Sequence, residues 1–223
     1  AVIPGLVAVA LLISGIREPA RQAGVKRVNP LTLENLRTLS RPYWVVVSIG
    51  AVFALARFSE AFLVLRAMQG GIPVALVPLV MVAMNLVYAI SAYPSGKLAD
   101  LLSHTKLLAI GLMVLFASDI VLAHGSQWPV VLLGVALWGL HMGLTQGLLA
   151  TMVARAAPSD LKGTAFGLFN LMTGLVTLVA SLVAGELWDR FGASTTFYAG
   201  AGFCLLTLCA IAVGGGLRRK SAF

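Results

Sequence analysis

Six long apolar runs, separated by short polar breaks, set the pattern of this chain. They cover residues 43–66, 73–94, 107–124, 128–153, 164–188 and 195–216. Each is close to the roughly 20 residues that a helix needs to cross a bilayer. The connections are short and carry Gly, Pro and charge. Residues 1–16 are apolar but too short to span, and they read as the tail of a preceding helix. The sequence starts with Ala in mid-run, so it reads as cropped, and no basic region or cleavage site marks a signal peptide. Residues 17–42 are polar and basic. Within them Asn29-Pro30 suits a helix start, and Leu33, Leu36 and Leu39 give a short amphipathic helix on the membrane surface. Tyr43 and Trp44 mark the interface where the first full span begins. Residues 217–223 form a basic tail. The predicted organisation is therefore a helix tail (1–16), a central loop (17–42), a six-helix membrane domain (43–216) and a second cytoplasmic segment (217–223).

Composition agrees with an all-α polytopic membrane protein: 59% of residues are hydrophobic and 11% are charged. A net charge of +8 would suit a nucleic-acid partner, but the positions of the basic residues explain it otherwise. Thirteen of the sixteen Lys and Arg fall at one side of the alternating spans: in 17–42, at Lys97 and Lys106, at Arg155 and Lys162, and at 218–220. Arg66 and Arg190 fall on the other side and Arg57 lies inside a span. By the positive-inside rule the first side is the cytoplasm. The excess is topogenic, and no nucleic-acid partner is implied. Cys204 and Cys209, five apart in an apolar run, read as free thiols, and the three histidines make no metal pattern. No phosphate-binding Gly-rich loop is present, so no nucleotide or other cofactor is implied.

Chemistry enters where the first span carries Arg57 and Glu60. A charge at bilayer depth costs roughly 2.5–3.5 kcal/mol on insertion scales, so it persists only where it faces protein or a water-filled path. Three apart on a helix, the two share a face and can pair. One reading makes Glu60 the carrier of a coupled proton, with Arg57 releasing that proton or binding a substrate anion. The competing reading is a permanent internal salt bridge that locks packing.

Two turns share a pattern. Gly96-Lys97-Leu98-Ala99-Asp100 ends the second span, and Gly185-Glu186-Leu187-Trp188-Asp189, followed by Arg190, ends the fifth. Each closes the second span of a three-span group, and the two fall on opposite sides of the membrane. That predicts an inverted three-plus-three repeat. Gly would permit close helix approach and Asp would cap a helix end.

At this point the chain resembles the major facilitator superfamily, whose loop motif is Gly-x-x-x-Asp-Arg-x-Gly-Arg-Arg. Gly96 and Asp100 match it; Leu101 and Ser103 stand where the family has Arg and Gly, and His104 and Lys106 replace the basic pair. The resemblance covers nearly the whole chain, as the end of helix six, the central loop and helices seven to twelve. It implies a cytoplasmic gating loop at Gly96, Asp100 and Lys106, and a missing N-terminal six-helix half. It also implies that the first and fourth full spans present Arg57, Glu60, Trp138, His141 and Gln146 to a substrate. Asn85 and Tyr88 on the second span, and Asn170, Thr173, Thr177 and Ser181 on the fifth, complete the polar set; each is open to a packing role as well. Gly139, Gly143 and Gly147 form a stripe suited to close packing. Asp119, near the outer end of the third span, reads as interfacial.

The resemblance implies a secondary transporter working by alternating access, with small-molecule substrate and protons as partners, set as a multi-pass protein in a membrane of the bacterial inner type. Proton-coupled export of small amphiphilic compounds, an antiport, is the first reading; uptake of an organic anion is the alternative. An intramembrane enzyme would need a second carboxylate, a His pair or a nucleophile at matching depth. His141 has no acidic residue on its own helix, and no such constellation is found. A scaffold that moves nothing is the remaining alternative.

Overall fold

The computed structural model describes residues 7, 9–11, 36 and 38–220, with side chains through 212. Most of the predicted helix tail and of the central loop, and the last three residues of the chain, lie outside the described residues. Seven α-helices follow residue 40: α1 (Arg41–Leu55), α2 (Ala61–Gln69), α3 (Val77–Leu101), α4 (His104–His124), α5 (Trp128–Ala156), α6 (Lys162–Phe191) and α7 (Ala193–Lys220). A short 3-10 turn at Val74–Leu76 leads into α3. Five of these helices are long and apolar enough to cross a membrane.

The first predicted span differs. Residues 43–66 do not form one helix; α1 stops at Leu55 and α2 starts at Ala61. At 15 residues α1 is about 22 Å long at 1.5 Å per residue, short of the ~30 Å hydrocarbon layer. The span is therefore a discontinuous pair, with Ala56, Arg57, Phe58, Ser59 and Glu60 between its pieces.

The packing has the predicted repeat. α1/α2, α3 and α4 make one unit and α5, α6 and α7 the other. The first helix of each unit packs on the second helix of the other unit, α1 on α6 and α5 on α3, while the third helices α4 and α7 pack on each other. Alternation of the spans puts Asp100 and Asp189 at opposite ends of the bundle. Polar side chains tie the crossings: the Tyr43 hydroxyl donates to the Ala165 carbonyl at 2.9 Å, and Ser118 donates to the Gly134 carbonyl at 2.7 Å. Arg66 of α2 caps α4, donating to the carbonyls of Leu122 at 2.8 Å and Ala123 at 3.2 Å. A cation at a helix C-terminus is well placed against the helix dipole.

Two expectations are corrected here. Neither Gly96 nor Gly185 brings helices close: a Cβ at Gly96 would meet nothing within 4 Å, and at Gly185 only Phe62 at 3.9 Å. Both motifs lie in the last turns of helices rather than in loops, and the turns themselves are Leu102-Ser103 and Gly192, whose φ of 86° favours glycine. Ser103 caps α4 by accepting from the Lys106 N–H. The second correction is Asp119, which is wholly buried between α4 and α7 rather than interfacial. Gly200 opposite it has no side chain to exclude it.

The cytoplasmic assignment has a direct check. In a background lacking Cys204 and Cys209, Ser159→Cys between α5 and α6 should label only from the cytoplasmic side. Ser126→Cys between α4 and α5 should label only from outside; both positions are exposed. Labelling of Ser159→Cys by an impermeant reagent on intact cells would reverse the topology.

Candidate functional site

The break between α1 and α2 contains no Gly or Pro. It is held by hydrogen bonds that replace the helical ones. The N–H groups of Ala56 and Arg57 turn back to the carbonyls of Phe53 and Ala54, closing α1 tightly. The Ser59 N–H donates to the Ser181 hydroxyl of α6 at 3.1 Å, and Ser181 in turn donates to the Thr177 carbonyl at 2.8 Å. The Ser59 hydroxyl accepts from the Ala61 N–H at 3.3 Å and so starts α2. Irregular backbone at membrane depth survives only where its polar groups find partners or line a cavity. Both conditions hold.

A cavity of about 670 Å³ opens against the break, between α1, α5 and α6. Arg57 and Glu60 line it and face each other, Nη2 to Oε1 at 3.5 Å, with side chains 24% and 31% exposed. Gln146 from α5 and Asn170, Thr173 and Thr177 from α6 supply neutral polar groups. Phe53, Phe58, Phe166 and Phe169 supply apolar walls. The site therefore offers one cation, one anion, amide and hydroxyl groups, and aromatic surface. That combination suits a small amphiphilic molecule.

The sequence-predicted residues divide. Arg57, Glu60, Gln146 and Asn170 come together at the cavity. Trp138 and His141 do not line it: both are wholly buried, and Trp138 packs against Phe58 at 5.5 Å between ring centres. His141 stacks on Phe53 at 5.4 Å and its Nδ1 lies 2.8 Å from the Gly111 carbonyl. Asn85 is exposed on α3, its amide donating to the Met81 carbonyl at 2.8 Å. Tyr88 lines a second cavity of about 360 Å³ with Gly96, Asp100, His104, Thr151 and Arg155. Lys106 lies in the first turn of α4 and does not line that cavity. Arg190 pairs with Glu186 on the exposed end of α6 rather than with Asp189. An exposed pair of this kind contributes little to stability. The four phenylalanines and Ser59 are among the cavity residues that the sequence reading missed, with Gly50, Ala54, Leu149 and Ala150.

The family model described as Major Facilitator Superfamily matches residues 1–180 and, in a second match, residues 47–219. The chain belongs to the Major Facilitator Superfamily. An uncharacterised transporter of that type from Methanocaldococcus jannaschii is 30% identical over 182 residues, covering 77% of this chain and 44% of its own length. The chain thus spans under half the length of this curated relative. Superfamily membership supports the multi-pass membrane setting. It also accounts for the inverted packing of the two three-helix units.

Proposed function

We propose that this chain is the C-terminal half of a secondary active transporter that moves a small solute by alternating access. The observation that carries the proposal is the Arg57–Glu60 pair, held in the unwound part of a transmembrane segment and facing a cavity. Discontinuous helices near the midplane are how many secondary transporters build binding sites. α3 and α6 are the least covered of the long helices, and their apolar faces suit a second six-helix half.

The amphiphilic walls favour proton-coupled export of small amphiphilic compounds, with Glu60 carrying the proton and Arg57 releasing it. The guanidinium favours a second reading, uptake of an organic anion held by Arg57. The full-length protein reconstituted in liposomes, with an imposed pH gradient, separates them. Gradient-driven movement of a fluorescent amphiphilic dye supports the first, and gradient-driven accumulation of an organic carboxylate supports the second. A preparation that moves neither, while turning over lipid or peptide, would sink both.

Asp100 fits this scheme as a gating residue at the cytoplasmic end, beside His104 and Arg155 in the second cavity. Asp100→Asn should slow conformational exchange more than it weakens substrate binding. Transport rate and half-saturation, measured together, check it; an unchanged rate with a raised half-saturation points instead to a binding role.

A further inference from the structure

Asp119 sits apart from the cavity, in the interior of the bundle. Its Oδ2 lies 3.9 Å from the Cys204 thiol and against the bare face of Gly200, and its Oδ1 has no hydrogen-bond partner. Two more buried polar atoms among the described residues lack partners, Trp138 Nε1 and His141 Nε2. All three residues adjoin rings of the broken span. Phe58 packs on Trp138, and a Cβ at Gly200 would fall 2.7 Å from Asp119 Oδ2 and 2.9 Å from Phe58 Cε1. Phe53 stacks on His141. Phe53 and Phe58 also line the large cavity. Two aromatic rings of one discontinuous helix thus stand between an open cavity and a set of buried polar atoms without partners.

A thiol at that distance is a weak donor. A carboxylate charge at this depth needs strong donors or a cation, whereas a carboxylic acid does not. No group of three His, Cys, Asp or Glu side chains that could hold a metal occurs among the described residues. The proton is the ligand that needs neither a shell of oxygens nor a cavity.

We propose that Asp119 is a second proton-binding residue of this transporter, screened from the cavity by Phe58 and connected to it when α1 and α2 move relative to each other. In the step, the Asp119 O–H bond breaks and the proton passes to water admitted past Phe58, and from there to the cavity. The carboxylate left behind needs a donor; Trp138, which packs on the same Phe58 ring, carries an unpartnered N–H. The titratable and charged groups around Asp119 are few. Cys204 faces it from α7 and His141 stands on α5. Arg66 is bound to the carbonyls at the end of α4, where His124 and Tyr198 bond each other, and Arg57 and Glu60 lie in the break with Phe58. The proposal rests on the transporter reading but not on the role given to Glu60.

Infrared difference spectra of the full-length protein in lipid, taken between acid and alkaline pH, test it. A carboxylic C=O band is expected that shifts when the aspartates are isotope-labelled, disappears in Asp119→Asn and persists in Glu60→Gln. In Phe58→Ala the same carboxyl should exchange with heavy water about tenfold faster, because the local opening that exposes it is easier. A band that survives in Asp119→Asn overturns the proposal. So does a parent protein with no titrating band that responds to aspartate labelling, a readout that stands even if Asp119→Asn does not fold. An unchanged exchange rate in Phe58→Ala overturns the gate. If Glu60→Gln still couples transport while the aspartate band is present, the Glu60 role fails and this one stands.

Discussion

Glu60→Gln is expected to abolish transport driven by a pH gradient in the full-length protein while leaving substrate exchange at equal pH intact. Glutamine keeps the size and the hydrogen-bonding capacity of glutamate and removes titration. Glu60 and Arg57 are 3.5 Å apart and line the open cavity, so the charge of each is balanced locally and still reachable by solvent. Rocking of the two halves would change both the wetness of the break and the distance to Arg57. Those are the two factors that decide whether a carboxylate keeps a proton. A static pair predicts something different. Each single change, Glu60→Gln or Arg57→Ala, would then strand a partner charge and lower folding and expression. Dye flux in liposomes, with expression yield alongside, distinguishes the cases. Coupled flux at the parent's rate in Glu60→Gln means that Glu60 is not the carrier.

What the sequence displayed well was what depends on composition and local order. The apolar runs located all five long helices, with most ends within four residues and the end of α3 placed seven residues short, at 94 instead of Leu101; the basic residues supplied an orientation. The paired Gly-x-Leu-x-Asp ends pointed to the inverted repeat, although the physical reason attached to their glycines was wrong. The break was not visible because nothing in Phe53-Ala-Leu-Ala-Arg-Phe-Ser59 disfavours a helix strongly. Its backbone is satisfied by Ser181, more than a hundred positions away. The facing of α5 was equally hidden. That helix is apolar nearly all round, so periodicity could not say that Gln146 looks into the cavity while His141 turns to the Gly111 carbonyl. Asp119 depends on Gly200, a contact between helices that only packing reveals.

The glycine stripe of α5 gives a graded stability series. Gly139, Gly143 and Gly147 share a face, but only the first two meet α3. A Cβ at Gly139 would run into the carbonyl oxygen of Met84, which is backbone and cannot swing aside. At Gly143 the obstacle is the Ser91 hydroxyl, part of a side chain that can change rotamer at the cost of its bond to the Tyr88 carbonyl. At Gly147 there is nothing within 4 Å. Overpacking a tight contact costs about 1–3 kcal/mol, whereas Gly to Ala in an unhindered helix gains roughly 0.5–1 kcal/mol. Gly139→Ala should therefore lower the thermal unfolding midpoint most, Gly143→Ala less, and Gly147→Ala should leave it unchanged or raise it. The α3–α5 crossing also joins the two three-helix units, so Gly139→Ala should reduce transport in proportion to the loss of folded protein. Thermal unfolding in detergent, ranked across the three variants, is the measurement. A Gly147→Ala protein less stable than Gly139→Ala would show that the stripe packs against something other than α3.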